Sequence, residues 1–228
     1  LINYFCLINL YRFFRTSQQK HSNYKCTFAK KQMKDRILQK STDMFLRLGF
    51  KSITMDDIAC EMCISKKTIY KYFANKDILI EESVQMVHKE VHQTITKIVS
   101  QNFNAIEENF EIRRMFKEMF KSVESSPIYQ LKKHYPEIYE KVLSMQVSIC
   151  EECFRDNIIK GINEGLYRKE LDIENYVKFY YTLIFSINEN TMLEKDAQEL
   201  ELKALEYHIR AMATLTGIKE LEKQILNH

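Results

Sequence analysis

The residues best suited to chemistry crowd into one run, ISKKTIYKYFANKD, spanning Ile64 to Asp77. Ammonium groups, phenols and a hydroxyl at this spacing suit recognition of a polyanion rather than the making or breaking of bonds. Lysine neutralises phosphate, while side chains aimed at base edges read sequence. With a helical step of about 100° per residue, Ile69 and Phe73 fall on one side and Lys67, Thr68 and Lys71 on the other. Tyr70 and Tyr72 lie on the flanks. Such a helix buries one stripe and offers a cationic, hydrogen-bonding ridge to a major groove. Lys66 at its start and Lys76 at the start of the next helix can add backbone contacts.

Thiols are the second candidate chemistry. Two C-x-x-C pairs occur, Cys60/Cys63 in CEMC and Cys150/Cys153 in CEEC. They lie too far apart in sequence for a compact zinc module, and thiols one turn apart on a helix are poorly placed to pair. The expectation is that these cysteines are small core hydrophobes. The sequence supplies no nucleophile–base constellation, phosphate loop or clustered metal ligands, so neither an enzyme, a metal nor a cofactor is expected.

The elements that must position the basic run are helical. Only 4 Gly and 2 Pro occur among 228 residues, with 45% hydrophobic and 29% charged, which predicts a cored all-α protein. From Met33 a periodic helix carries Ile37, Ser41, Met44, Phe45 and Leu48 on one face, and Gly49 supplies the left-handed residue that ends it. Thr54 caps a second helix with Asp57 three residues on, and Ile53 and Ile58 staple its start. That helix runs to about Met62, because Ser65 caps the next, where Ile64 and Ile69 repeat the staple. Two short helices so closely joined predict a helix-turn-helix. Asn75 caps a long helix through Val84, Val87, Val91, Ile95 and Ile98. Further helices are expected near 105–124, 128–135, 136–163, 172–190 and 196–216, with a short tail helix after Gly217.

Charge divides along the chain. Residues 1–32 carry six basic residues and no acidic ones, residues 33–80 carry a net +3, and the remainder a net −6. A basic front and acidic rear suit a polyanionic partner for the front alone. The opening LINYFCLINLYRFF is too short to span a bilayer and lacks a basic lead and a cleavage site, so no membrane partner is expected. Residues 1–32 are read as a basic extension outside the folded domain, residues 33–79 as a DNA-binding domain and 80–228 as a second helical domain.

The stretch GFKSITMDDIACEMCISKKTIYKYFANKDIL resembles the N-terminal domain of the tetracycline-repressor (TetR) family of bacterial transcription regulators, through TMDDIA, SKKTIYKYF and NKDIL. The likeness covers roughly residues 33–79. It implies a three-helix DNA-binding domain ahead of a helical ligand-binding and dimerisation domain, in a cytoplasmic homodimeric repressor that reads an inverted repeat and is released by a small-molecule effector. Carried over by position, Lys66, Lys67, Thr68, Tyr70, Lys71 and Tyr72 belong to the recognition helix, and Thr54 and Lys76 hold phosphate from helix N-termini. Cys63 departs from the family, which usually has Gly at that place in the turn.

In the rear of the chain, Leu202, Leu205, Ile209, Met212, Ala213 and Thr216 form an apolar stripe, following one of Tyr176, Phe179, Tyr180, Leu183, Ile184 and Ile187. Paired stripes near a chain's end suit a two-fold four-helix interface, and the first-named set is the expected dimer face. Met115, Phe116, Met119, Phe120, Tyr139 and Phe154 are candidate lining for a pocket that takes an apolar or amphipathic effector. A redox- or metal-responsive regulator using Cys150 and Cys153 is the alternative.

Overall fold

A computed structural model describes residues 24–227. Ten helices follow in order: α1 Tyr24–Leu48, α2 Met55–Glu61, α3 Lys66–Tyr70, α4 Lys76–Val99, α5 Ala105–Met119, α6 Pro127–His134, α7 Pro136–Asn163, α8 Ile173–Asn190, α9 Glu194–Met212 and α10 Leu215–Leu226. Among the described residues the only β pairings are isolated bridges, Ser125 with Leu193 and Tyr167 with Ala213. No helix among them is long and apolar enough to cross a membrane. The expectation for the opening apolar run lies outside the described residues. Helix α1 nevertheless begins at Tyr24, ahead of the periodic start at Met33, so part of the supposed extension continues the first helix.

The first three helices and the start of α4 enclose a core of Ile37, Phe45, Ile58, Ile69, Phe73, Leu79 and Ile80, all fully buried. The face expected on α1 is inward at Ile37, Ser41, Met44 and Phe45, but Leu48 is 57% exposed because the chain leaves the helix there and turns at Gly49. This core does not stop at residue 79: Val84 of α4, Ile128 and Leu131 of α6, and Ile138 and Tyr139 of α7 pack into it. Helix α6 also grips the turn after α1 at its backbone. Gln130 Oε1 accepts from the Phe50 amide at 2.8 Å, and Tyr135 Oη donates to the Phe50 carbonyl at 3.2 Å. A shift of α6 must therefore move the N-terminal helices or break both bonds.

The second core joins α4 to the rear helices, with Val91, Ile106, Phe110, Phe120, Ile158, Tyr167, Ile184, Leu205 and Ile209 at its centre. Helix α5 ends at Met119, earlier than the pattern suggested, and α10 starts before Gly217, whose amide donates to the capping Thr214 hydroxyl. Helices α8 and α9 pack together as antiparallel neighbours, with Asn188 Nδ2 donating to Glu201 at 2.6 Å and Tyr180 stacked on His208 at 4.1 Å.

Burial sets the pH response of this core. It holds the His208 pKa down to about 3, whereas the unfolded imidazole titrates near 6.5. Between these values the unfolded chain binds the extra proton, so stability falls as pH drops below the upper one. Burial lowers His88 in the same direction. Glu194 opposes them, since burial raises its carboxyl to about 7 and the stability it contributes is lost as pH rises through that value.

Two outcomes follow from this packing. Going from pH 6.5 to pH 5, the wild type should lose up to about 2 kcal/mol through His208. A His208→Phe variant keeps the ring stack and the opposing Glu194, so over the same interval its urea-derived stability should change more favourably than that of the wild type by about this amount. Cys63 holds a φ of 53°, a left-handed conformation that is strained for a residue with a Cβ. Cys63→Gly should accordingly raise stability by about 1 kcal/mol, measured by thermal unfolding, whereas a lowered midpoint would show the strain to be absent.

Candidate nucleic-acid interface

The basic run is held up by caps at every helix start around it. At α2 the Thr54 amide and hydroxyl both donate to Asp57 Oδ2, at 2.8 and 2.7 Å, and the Asp57 amide donates back to Thr54 Oγ1 at 3.2 Å. These bonds from Thr54 keep the Asp57 carboxyl below its usual range. At α3 the Ser65 hydroxyl accepts from the Thr68 amide at 3.1 Å, and at α4 Asn75 Oδ1 accepts from the Ile78 amide at 2.8 Å. Each such cap stabilises its helix by about 1 kcal/mol, which matters most for a helix of five residues.

Helix α3 is shorter than the Lys66–Phe73 segment expected from sequence. Lys71 is its C-cap, and the following turn is carried by amides of Tyr72 and Phe73 donating to the Ile69 carbonyl at 2.9 and 3.0 Å. The wheel nonetheless holds. Ile69 and Phe73 are fully buried, Lys67 and Lys71 are exposed on the outer side, and Tyr70 is 43% exposed. Tyr72 is half-buried and packs against the N-terminal core, while Thr68 is half-buried with its hydroxyl 2.8 Å from that of Ser65.

The flanking cations differ from this central pair. Lys66 Nζ donates to Asp56 Oδ2 at 2.7 Å, and that bond raises its pKa. The pair ties the start of α3 to the start of α2, and it must open or share its proton for Lys66 to reach a phosphate. Lys76 is turned back over the protein. Its Nζ lies 5.9 and 5.7 Å from the ring centres of Phe45 and Tyr135 and donates to the Lys51 carbonyl at 3.3 Å. The Thr54 hydroxyl is already engaged with Asp57, and two carboxylates share its helix end. Lys67, Tyr70 and Lys71 are thus the side chains most open to a polyanion. Asp56 was missed by sequence reasoning, because a partner ten residues away across a turn leaves no periodic signal.

The other expected sites fare differently. Leu205, Ile209 and Met212 are buried within the chain's own core and have no surface to give a second copy, while Leu202 and Ala213 are half-buried and Thr216 is exposed. The stripe read from the pattern is the side of α9 that faces inward. The large apolar groups left exposed on these helices are Phe179 and Leu183 of α8 and Leu200 and Tyr207 of α9. Among the pocket candidates, Phe116, Phe120 and Phe154 are buried in the rear core and Met115 and Met119 pack against it, but Tyr139 belongs to the front core. The set is therefore divided between the two cores.

Cys60 and Cys63 are exposed rather than core residues. The Cys153 thiol is pushed up to about 12 by burial and nearby carboxylates, which disfavours the reactive thiolate. No cluster of three or more potential metal-binding His, Cys, Asp or Glu residues occurs among the described residues.

Residues 37–83 match the sequence model of the bacterial regulatory proteins, tetR family. The biofilm operon icaADBC HTH-type negative transcriptional regulator IcaR of Staphylococcus aureus is 28% identical over 177 residues, covering 76% of this chain and 81% of its own. The HTH-type transcriptional regulator YvaF of Bacillus subtilis is 27% identical over 158 residues, covering 69% and 80%. The crystal structure of a transcriptional regulator from Cytophaga hutchinsonii shares the fold, with a TM-score of 0.62 at 17% identity over 79% of this chain and 98% of that one. With a capped helix-turn-helix, a basic outer ridge and these likenesses together, residues 37–83 form a DNA-binding domain of the tetR-family kind, and the chain resembles DNA-binding transcriptional regulators over most of its length.

Proposed function

We propose that the chain acts in the cytoplasm as a homodimeric repressor that sets α3 of each subunit into successive major grooves of an inverted-repeat operator and lets go when a small apolar or amphipathic effector binds. The observation that carries this reading is the division of α3, whose Ile69 and Phe73 are fully buried while Lys67, Tyr70 and Lys71 project outward. Lys67, Thr68, Tyr70 and Lys71 are assigned to the groove. Lys66, Tyr72, Lys76 and Thr54 are assigned to the phosphates on either side. In the unbound protein Lys66 and Lys76 have other partners, so their contacts require a side-chain exchange on DNA binding.

For the two-fold contact, Phe179, Leu183, Leu200 and Tyr207 replace the inward stripe as the assigned face. Burial of large apolar side chains is the main stabilising contribution in such interfaces. A dimer places two recognition helices about one DNA turn apart, and protein symmetry is then mirrored in the operator. The effector acts only through its different affinity for the DNA-competent and released states. The chain's likeness to a named negative regulator supports repression over activation.

Operator capture from genomic fragments, followed by fluorescence anisotropy on the recovered site, tests the assignment. Lys71→Ala should weaken binding by about tenfold and Tyr70→Phe by a few-fold, consistent with losing roughly 1 kcal/mol of polar contact, with the thermal midpoint unchanged. Wild-type affinity in both variants would remove α3 from the interface. Affinity should fall steeply with added salt as counterions are released. Paired Phe179→Asp and Tyr207→Asp substitutions should shift sedimentation from dimer to monomer, and an unchanged dimer would place the two-fold contact elsewhere.

A further inference from the structure

Lys66 opens α3 and Asp56 lies in the first turn of α2, and their side chains meet at 2.7 Å across the turn that joins the two helices. Both stay open to solvent, with 45% and 68% of their side-chain surfaces exposed. The two carboxylates at this end of α2 have separate tasks. Asp57 is engaged by the Thr54 amide and hydroxyl as part of the cap, whereas Asp56 stands outside that box and takes the Lys66 ammonium. That bond also favours the charged form of Lys66. A carboxylate oxygen and a phosphate oxygen ask the same of an ammonium group, namely a short charge-assisted hydrogen bond. Asp56 therefore takes up the donor that a DNA phosphate would need, one residue before the outward Lys67.

We propose that Asp56 is an internal competitor for phosphate, which limits affinity for DNA of any sequence by holding the Lys66 ammonium until a phosphate displaces it. The proposal rests on the reading of α3 as the DNA-binding helix. Exchange passes the ammonium from one anion to another. The phosphate gives up a cation to solution, and the vacated Asp56 carboxylate attracts one back. Net counterion release at this corner is then near zero, whereas a lysine without such a partner adds about 0.9 to the slope of log affinity against log salt. An ion pair this exposed is weak enough to open, so the lysine is withheld rather than lost. Phosphates carry no sequence information, so the restraint falls on operator and random duplex alike.

Asp56→Asn keeps the shape of the side chain and removes its charge. Fluorescence anisotropy of the full chain on the captured operator and on a random duplex of equal length, over a series of potassium chloride concentrations, reads the effect. At ~0.1 M salt the variant should bind both duplexes about threefold more tightly for each subunit engaged, and its salt slope should steepen by about 0.9 per subunit. In a Lys66→Ala background most of that gain should vanish, because the cation that Asp56 withholds is gone. Circular dichroism melts establish that each variant is folded. Unchanged affinity and slope in Asp56→Asn would overturn the proposal. An equal gain with and without Lys66 would overturn it too, by making Asp56 a plain repulsive charge, and so would a gain confined to the operator. Lys71→Ala, measured alongside, separates this proposal from the reading beneath it. If Lys71→Ala weakens binding while Asp56→Asn changes nothing, α3 stays on the DNA and the competitor alone is removed. If Lys71→Ala is silent as well, both fall.

Discussion

The burial of Ile69 and Phe73 beneath α3 is the constraint on which the proposed DNA-binding surface depends. A helix of five residues is far below the length at which an isolated helix persists in water. It exists because two large apolar side chains, both fully buried, are clasped by Phe45, Ile58, Leu79 and Ile80. Full burial of each such side chain is worth about 1.5–3 kcal/mol, so the two together outweigh the Ser65 cap, worth about 1 kcal/mol, several-fold. With that side anchored, the orientation of Lys67 and Lys71 follows from helical geometry, and an exposed cation needs no further support to face outward. The outward basic ridge of α3 is consequently a by-product of packing on its opposite side.

The same logic links the two parts of the chain. The front core recruits α6 and the beginning of α7, so the N-terminal helices are not an independent bead on a linker. Helix α4 belongs to both cores, with Leu79, Ile80 and Val84 forward and Val87, Val91, Ile95 and Ile98 toward the rear. Gln130 and Tyr135 add directional bonds at the joint, where apolar packing alone would permit sliding. A rigid shared helix with a polar latch beside it is the kind of element through which a change in one part reaches the other.

Charge is arranged with comparable economy. Lys66 and Lys76 are partnered within the protein, to Asp56 and to a carbonyl and two aromatic faces, while Lys67 and Lys71 are left outward. Pairing some cations limits self-repulsion in the free protein and leaves them able to exchange toward phosphate. The thiols show how environment overrides motif: two C-x-x-C spacings occur, yet Cys60 and Cys63 are exposed and Cys153 is raised by burial away from reactivity.

Local signals made the helix-turn-helix legible. Thr54, Ser65 and Asn75 act on amides three residues away, and Ile53, Ile58, Ile64 and Ile69 mark the helix starts, so the interactions are encoded at short range. The amphipathic wheel of α3 and the inward face of α4 were readable for the same reason. Periodicity finds an apolar stripe but not what covers it. Leu205, Ile209 and Met212 therefore looked like a dimer face and proved to be core, and Tyr139 was grouped with aromatics from which it is separated in space. Contacts such as Asn188 with Glu201, Gln130 with Phe50 and Lys66 with Asp56 depend on how helices meet. The sequence alone settled where the helix-turn-helix lies and which side of α3 turns outward, because both arise from neighbours within a turn. Tertiary packing alone decided which apolar stripes are sealed and which cations are free, because those outcomes require elements far apart in the chain to come together.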